Sequence, residues 1–251
     1  MKAADGFGRD EAFQDATGES VIDRSQLFFV GGSQGGVLGG ATSAVATDWD
    51  RAFLAVPGLN YSMLLDRSSQ FDPFEPILAA AYSDPVERPL ALAVIQMLWD
   101  RGENNGYAQH LTRDPYRDTP AKKILLFEAF GDFQVANVST EALARTIGAK
   151  VRQPALAPGR GTAVEPFWGI AAIPAFPFDG SALVVWDYGT PAPPVENVAP
   201  SQGADPHGLI VTTIPAVLMA ADFLKRDGVV NDPCAGQPCR SGGSSPQSLR
   251  G

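Results

Sequence analysis

One serine stands among glycines where an apolar run ends. Residues 27–36 read LFFVGGSQGG, and Gly31-Gly32-Ser33-Gln34-Gly35 fits G-x-S-x-G. A nucleophilic hydroxyl on a sharp strand-to-helix turn needs small neighbours, because bulky side chains two residues away on either side would clash. The following helix then aims its first N–H groups at the reacting centre, where negative charge would develop. In a chain with 26 glycines the pattern by itself is weakly specific. Its context adds more: an apolar strand precedes it and a small-residue helix follows. The competing interpretation is a glycine-rich turn whose serine merely caps that helix.

A serine nucleophile needs a base and a carboxylate to orient it. The chain has two histidines, His110 in GYAQHLTRD and His207 in GADPHGLIV. The expected order for a strand–turn–helix nucleophile is Ser, acid, His. His207 satisfies it, whereas His110 reads as a surface histidine or a substrate contact. For the acid, Asp132 comes first, because KKILLFEAFGD leaves a strand through Gly131. Glu128, at the end of the strand itself, is second and Asp187, after SALVVW, third. Asp205 lies too close to His207 in the chain to bond its ring from the usual side.

These residues require a scaffold. Apolar runs at Gln26–Val30, Arg51–Val56, Lys123–Phe127 and Ser181–Trp186 predict four strands. Helices are expected at Asp10–Ser20 (closed near Gly18), Val37–Ala46, Leu90–Trp99 and Val138–Ile147, with Ser139 as N-cap and Gly148 as stop. Val211–Lys225 predicts an amphipathic final helix. Residues 60–120 form a long insertion between the second and third strands. Strands alternating with helices predict an α/β fold around a mostly parallel sheet. One domain is expected over residues 1–240, followed by a low-complexity tail at 241–251.

The composition, 45% hydrophobic and 19% charged over 251 residues, suits one sizeable core. The net charge of −9 argues against a nucleic-acid partner, which would want a basic face. No stretch approaches a membrane span, and Met1–Arg9 lacks the apolar core of a secretory signal. Cys234 and Cys239, in DPCAGQPC, suggest a small disulfide loop and thus a secreted or periplasmic setting, with two free thiols as the alternative. No metal site or cofactor is expected, since four ligands cannot be gathered there.

GGSQGG on its strand, GD closing KILLFEAFGD, and DPHG before the last helix together resemble the α/β-hydrolase superfamily. PGLNYSMLL, QMLWDRGENNGYAQHLT and GSALVVWD look like larger bacterial members of undefined substrate. The likeness runs from about residue 20 to 240. It implies Ser33 as nucleophile, His207 as general base and acid, and Asp132 as orienting carboxylate. It also implies the Gln34 N–H as oxyanion donor. The expected activity is cleavage of carboxylic esters, a carboxylesterase or lipase-like reaction without a cofactor, with amide cleavage open. The insertion at 60–120 would be a helical lid-type element, with Tyr61, Met63, Leu64, Leu65, Met97, Leu98 and Trp99 as candidate pocket lining or as ordinary core.

The superfamily places about four strands before its nucleophile strand, and one of their loops supplies a second oxyanion donor. About 25 residues precede LFFV here. The resemblance therefore covers the C-terminal half of such a fold, lacking the first strands. It implies an exposed apolar edge at LFFV, open to another copy or another chain. Loss of one donor would weaken catalysis by about 10²–10³, with the Gly35 N–H as substitute. The second functional expectation is thus a weakly active or inactive domain that works by assembly.

Overall fold

The computed structural model describes residues 9–23 and 26–240. The expected tail at 241–251 and the first eight residues lie outside these. The architecture is α/β. Strand β1 (Phe29–Gly32) leads directly into helix α1 (Gln34–Ala44), and β2 (Arg51–Ala55) follows. The insertion then contributes α2 (Tyr61–Leu64), α3 (Glu75–Ala81), α4 (Glu87–Trp99) and α5 (Ala108–Thr112). The chain returns as β3 (Lys123–Ala129), α6 (Asn137–Ile147), β4 (Lys150–Val151) and β5 (Ala182–Asp187), and continues to α7 (Ile214–Phe223) and β6 (Cys239–Arg240).

The sheet order is β1-β2-β3-β5-β4, with β6 also paired to β5, and every one of these pairings is parallel. Helices cover both faces. Ile124, Leu126, Leu183 and Val185 pack with Leu143, Ala144 and Ile147 of α6 on one side. Leu125, Phe127, Val184 and Trp186 pack with Ala216, Met219 and Phe223 of α7 on the other. Strand β5 is buried throughout and β3 nearly so, which explains why both read as unbroken apolar runs.

The four expected strands are present, with shifted ends. The first begins three residues late and includes Gly31 and Gly32, whose main chain still pairs with Leu54 and Ala55. It is the sheet edge, and Val30 is 56% exposed. Strands β4 and β6 escaped the pattern because two residues carry no periodicity. Asp10–Ser20 is not a helix. A 3₁₀ turn at Glu11–Phe13 gives way to a bridge between Gln14 and Ser20, because the Asp15 carboxylate accepts from the N–H groups of Thr17 and Glu19. Ser139 does not cap α6. It sits buried inside the first turn, where its hydroxyl donates to the Leu59 carbonyl and accepts from the Leu59 N–H. Gly148 ends the helix in the left-handed region, φ 71°, as expected.

The final helix departs most from expectation. A 3₁₀ turn at Ile210–Thr212 precedes α7, and Pro215 falls in the first turn of α7. The helix is not amphipathic: Ile214, Val217 and Leu218 are apolar and exposed on the side away from the core. Cys234 and Cys239 are joined as a disulfide, which anchors the segment that adds β6 beside Trp186 and Asp187.

Candidate active site

The turn from β1 to α1 holds Ser33 at φ 55° and ψ −124°, a positive-φ conformation that a non-glycine residue adopts only under constraint. Parallel pairing holds it there: the Ser33 N–H donates to the Ala55 carbonyl at the end of β2. The two glycines of the pattern differ in their reasons. A Cβ on Gly31 would lie 2.2 Å from the Gly35 carbonyl oxygen, so a side chain cannot enter. A Cβ on Gly35 would meet nothing within 4 Å. The close approach is made by the Gly35 backbone, and only Gly31 must yield to it.

Ser33 occupies the N-cap position of α1, yet its hydroxyl makes no capping bond. Its Oγ lies 2.8 Å from His207 Nε2 instead. The opposite ring nitrogen, Nδ1, lies 2.8 Å from Asp132 Oδ2 and 3.0 Å from Oδ1. An ionised carboxylate only accepts, so Nδ1 carries the proton and Nε2 is left to accept from the serine. The cap interpretation of Ser33 thus fails on the direction of its side chain, and Ser33, His207 and Asp132 form one hydrogen-bonded line.

Three elements supply that line. Asp132 follows β3 after the Phe130-Gly131 turn, which Asn137 clamps by accepting from the Gly131 N–H and donating to the Ala129 carbonyl. Asp132 Oδ1 also accepts from the N–H groups of Gln134 and Val135, which orients the carboxylate toward the histidine. His207 stands in the loop before α7. Asp205, set aside as a ring partner, joins the two loops: it accepts from the N–H groups of His207 and Phe133 and from the Gln134 side chain. Sequence spacing pointed away from Asp205 because it asked only about the ring. Burial opposes the charged form of His207, but the bond and charge of Asp132, aided by Asp205, prevail and raise its pKa above 6.5.

The other carboxylates lie elsewhere. Glu128 lies within β3 itself, 1% exposed, and neither oxygen has a hydrogen-bond partner among the described residues. Burial first, then the charges of Glu141 and Asp132, push its pKa well above 4.5. Asp187 forms a two-pronged ion pair with Arg160. His110 stays within the insertion, stacked on Tyr116 and held to the Asp114 carbonyl.

The N–H groups of Gln34 and Gly35 open α1 and have no acceptor among the described residues, while Gly36 and Val37 already donate to the Ser33 carbonyl. Gln34 and Gly35 therefore offer two free donors beside Ser33. The candidate lining residues separate into two groups. Tyr61 and Leu64 pack with Val135 and Ala136 beneath the Asp132 loop, and Tyr61 meets Trp99 edge-on. Met63 and Leu65 are half-buried, whereas Met97 and Leu98 lie on the exposed face of α4. Among the described residues no cluster of side chains is suited to a metal ion, and no helix is long and apolar enough to cross a membrane. Comparisons with family models, with curated proteins and with solved structures returned no match.

Proposed function

We propose that this protein is a serine hydrolase that cleaves carboxylic esters through an acyl-enzyme. The observation that carries it is the 2.8 Å contact of His207 Nε2 with a serine hydroxyl that stands on a strained turn and caps nothing. Ser33 Oγ attacks the ester carbonyl as its proton passes to His207 Nε2. Asp132 accepts the Nδ1 hydrogen bond and stabilises the imidazolium. The oxyanion is held by the N–H groups of Gln34 and Gly35. The tetrahedral species collapses to acyl-Ser33, and His207 returns the proton to the departing alcohol. Water, deprotonated by the same nitrogen, releases the acid and restores Ser33. No cofactor enters these steps. Residues 60–120 act as the lid-type element over this end of the sheet.

A fluorophosphonate probe tests the assignment. Wild-type protein is expected to label covalently and Ser33→Ala not at all. A folded wild-type protein that never labels would sink it.

A second reading, action through assembly, is favoured by one feature. The outer edge of β1 has no strand beside it among the described residues. Near it, between α7 and the face of the sheet, an apolar groove of about 250 Å³ is lined by Val30, Phe53, Val211, Val217 and Leu224 among others. Such an edge accepts a strand from another copy or another chain. Sedimentation at micromolar concentration separates the cases: a stable monomer argues against pairing through this edge.

A further inference from the structure

Helix α1 is poorly equipped to hold its own first turns. Four of its eleven residues are glycine, at positions 35, 36, 39 and 40, and each costs about 1 kcal/mol relative to alanine in a helix. Yet the two free donors beside Ser33 are useful only if that turn is rigid, because misplacement by about 1 Å can cost on the order of 10² in rate.

The insertion supplies a brace. Asn104 is fully buried, and its carboxamide reaches across to α1. Its Oδ1 accepts from the Gly40 N–H at 2.7 Å, and its Nδ2 donates to the Gly36 carbonyl at 2.8 Å. Gly36 and Gly40 are an i, i+4 pair, so the amide side chain spans one rung of the helix ladder. The second Nδ2 hydrogen goes to the Gly58 carbonyl at 2.7 Å, in the loop after β2. Both donors and the acceptor are thus committed. The brace is itself anchored. The neighbouring Glu103, fully buried, accepts from the N–H groups of Asn60 and Asn105 and from the Gln96 amide of α4. Space is matched as well: a Cβ on Gly40 would lie 2.3 Å from Asn104 Oδ1, so the glycine and the asparagine require each other.

We infer that Asn104 is a positioning residue, which fixes the first turn of α1 against the post-β2 loop and so holds the N–H groups of Gln34 and Gly35 where the oxyanion forms. This rests on the hydrolase reading. It also gives the insertion a role beyond covering the site: its root, residues 96–106, sets the geometry of the nucleophile turn.

The test uses Asn104→Ala, Gly40→Ala and the double variant in the full chain. Fluorophosphonate labelling rates, p-nitrophenyl acetate kinetics and thermal melting are measured on each. Both single variants are expected to lower kcat about 10- to 100-fold with KM changed less than about 2-fold, the signature of an interaction used mainly in the transition state. In the double variant the methyl group added by Gly40→Ala fills the space left by the amide and improves helix propensity. Its melting temperature is expected to recover toward wild type while kcat stays low. Recovery of kcat together with stability would show a merely structural role and overturn the inference. So would wild-type kcat in Gly40→Ala, which cannot keep Asn104 in place. Should Asn104→Ala fail to fold, Gly40→Ala and the double variant still decide. Absence of labelling in wild type is a separate outcome: it removes the hydrolase reading and this role with it.

Discussion

Glu128 offers a quantitative check on the core that is independent of any catalytic assignment. It lies on β3 on the same face as Ile124 and Leu126, four residues before Asp132, with both oxygens buried and unpartnered among the described residues. Burial and the nearby charges of Glu141 and Asp132 hold it protonated well above the ordinary carboxylate range. The unfolded chain ionises this side chain near pH 4.3. A carboxyl raised on folding costs nothing below that value. From there upward the unfolded state releases a proton that the folded state keeps, so stability falls with pH until Glu128 itself ionises. The slope is about 1.4 kcal/mol per pH unit. Glu128→Gln removes the titration with little change in shape. Between pH 5 and pH 6 the wild type is therefore expected to lose up to about 1 kcal/mol relative to the variant. That is roughly 2–4 °C in relative melting temperature for a chain of this size. Urea or thermal unfolding of both proteins at the two pH values measures it. Because the comparison is a difference, groups that do not interact with Glu128 cancel. A variant-minus-wild-type difference that does not change between pH 5 and pH 6 would refute the reasoning, and would mean that Glu128 has a partner or is ionised in the fold.

Asp132→Asn keeps the shape of the acid but can no longer dictate the His207 tautomer, and kcat for ester cleavage is expected to fall by about 10³–10⁴; a neutral result would remove Asp132 from the site. The raised His207 pKa places the acid limb of kcat/KM above pH 6.5, because the base must be neutral to act; Asp205→Asn should move that limb to lower pH in a pH–rate profile. The same shift ties stability to protonated His207: the contribution is full below about pH 6.5 and is lost as pH rises through the folded value. Gly31→Ala brings a Cβ within 2.2 Å of the Gly35 carbonyl, and is expected to lower both melting temperature and labelling rate, whereas Gly35→Ala, with open space at its Cβ, should affect labelling far less.

Much of the molecule is legible from residue order because its causes are local. An apolar run ending in Gly-Gly-Ser names a strand that must turn, and GD after KILLFEAF marks where a carboxylate leaves the sheet. The near-continuous burial of β3 and β5 follows from helices packing on both faces, so their apolar runs could be read without knowing which helices those were. The α/β class rests on the same alternation. Other features depend on which segments meet in space. Nothing in the spacing of Ser33, Asp132 and His207 shows that Oγ turns to the ring instead of capping α1; parallel pairing of β1 with β2 and the loop joined by Asp205 decide that. The outward apolar face of α7 reads as amphipathy until the neighbouring layer is known. Asn104 looks like one polar residue in the run NNG. It becomes a brace because α1 is too glycine-rich to stand alone, and because a buried carboxamide must find hydrogen-bond partners, here two on α1 and one in the loop after β2.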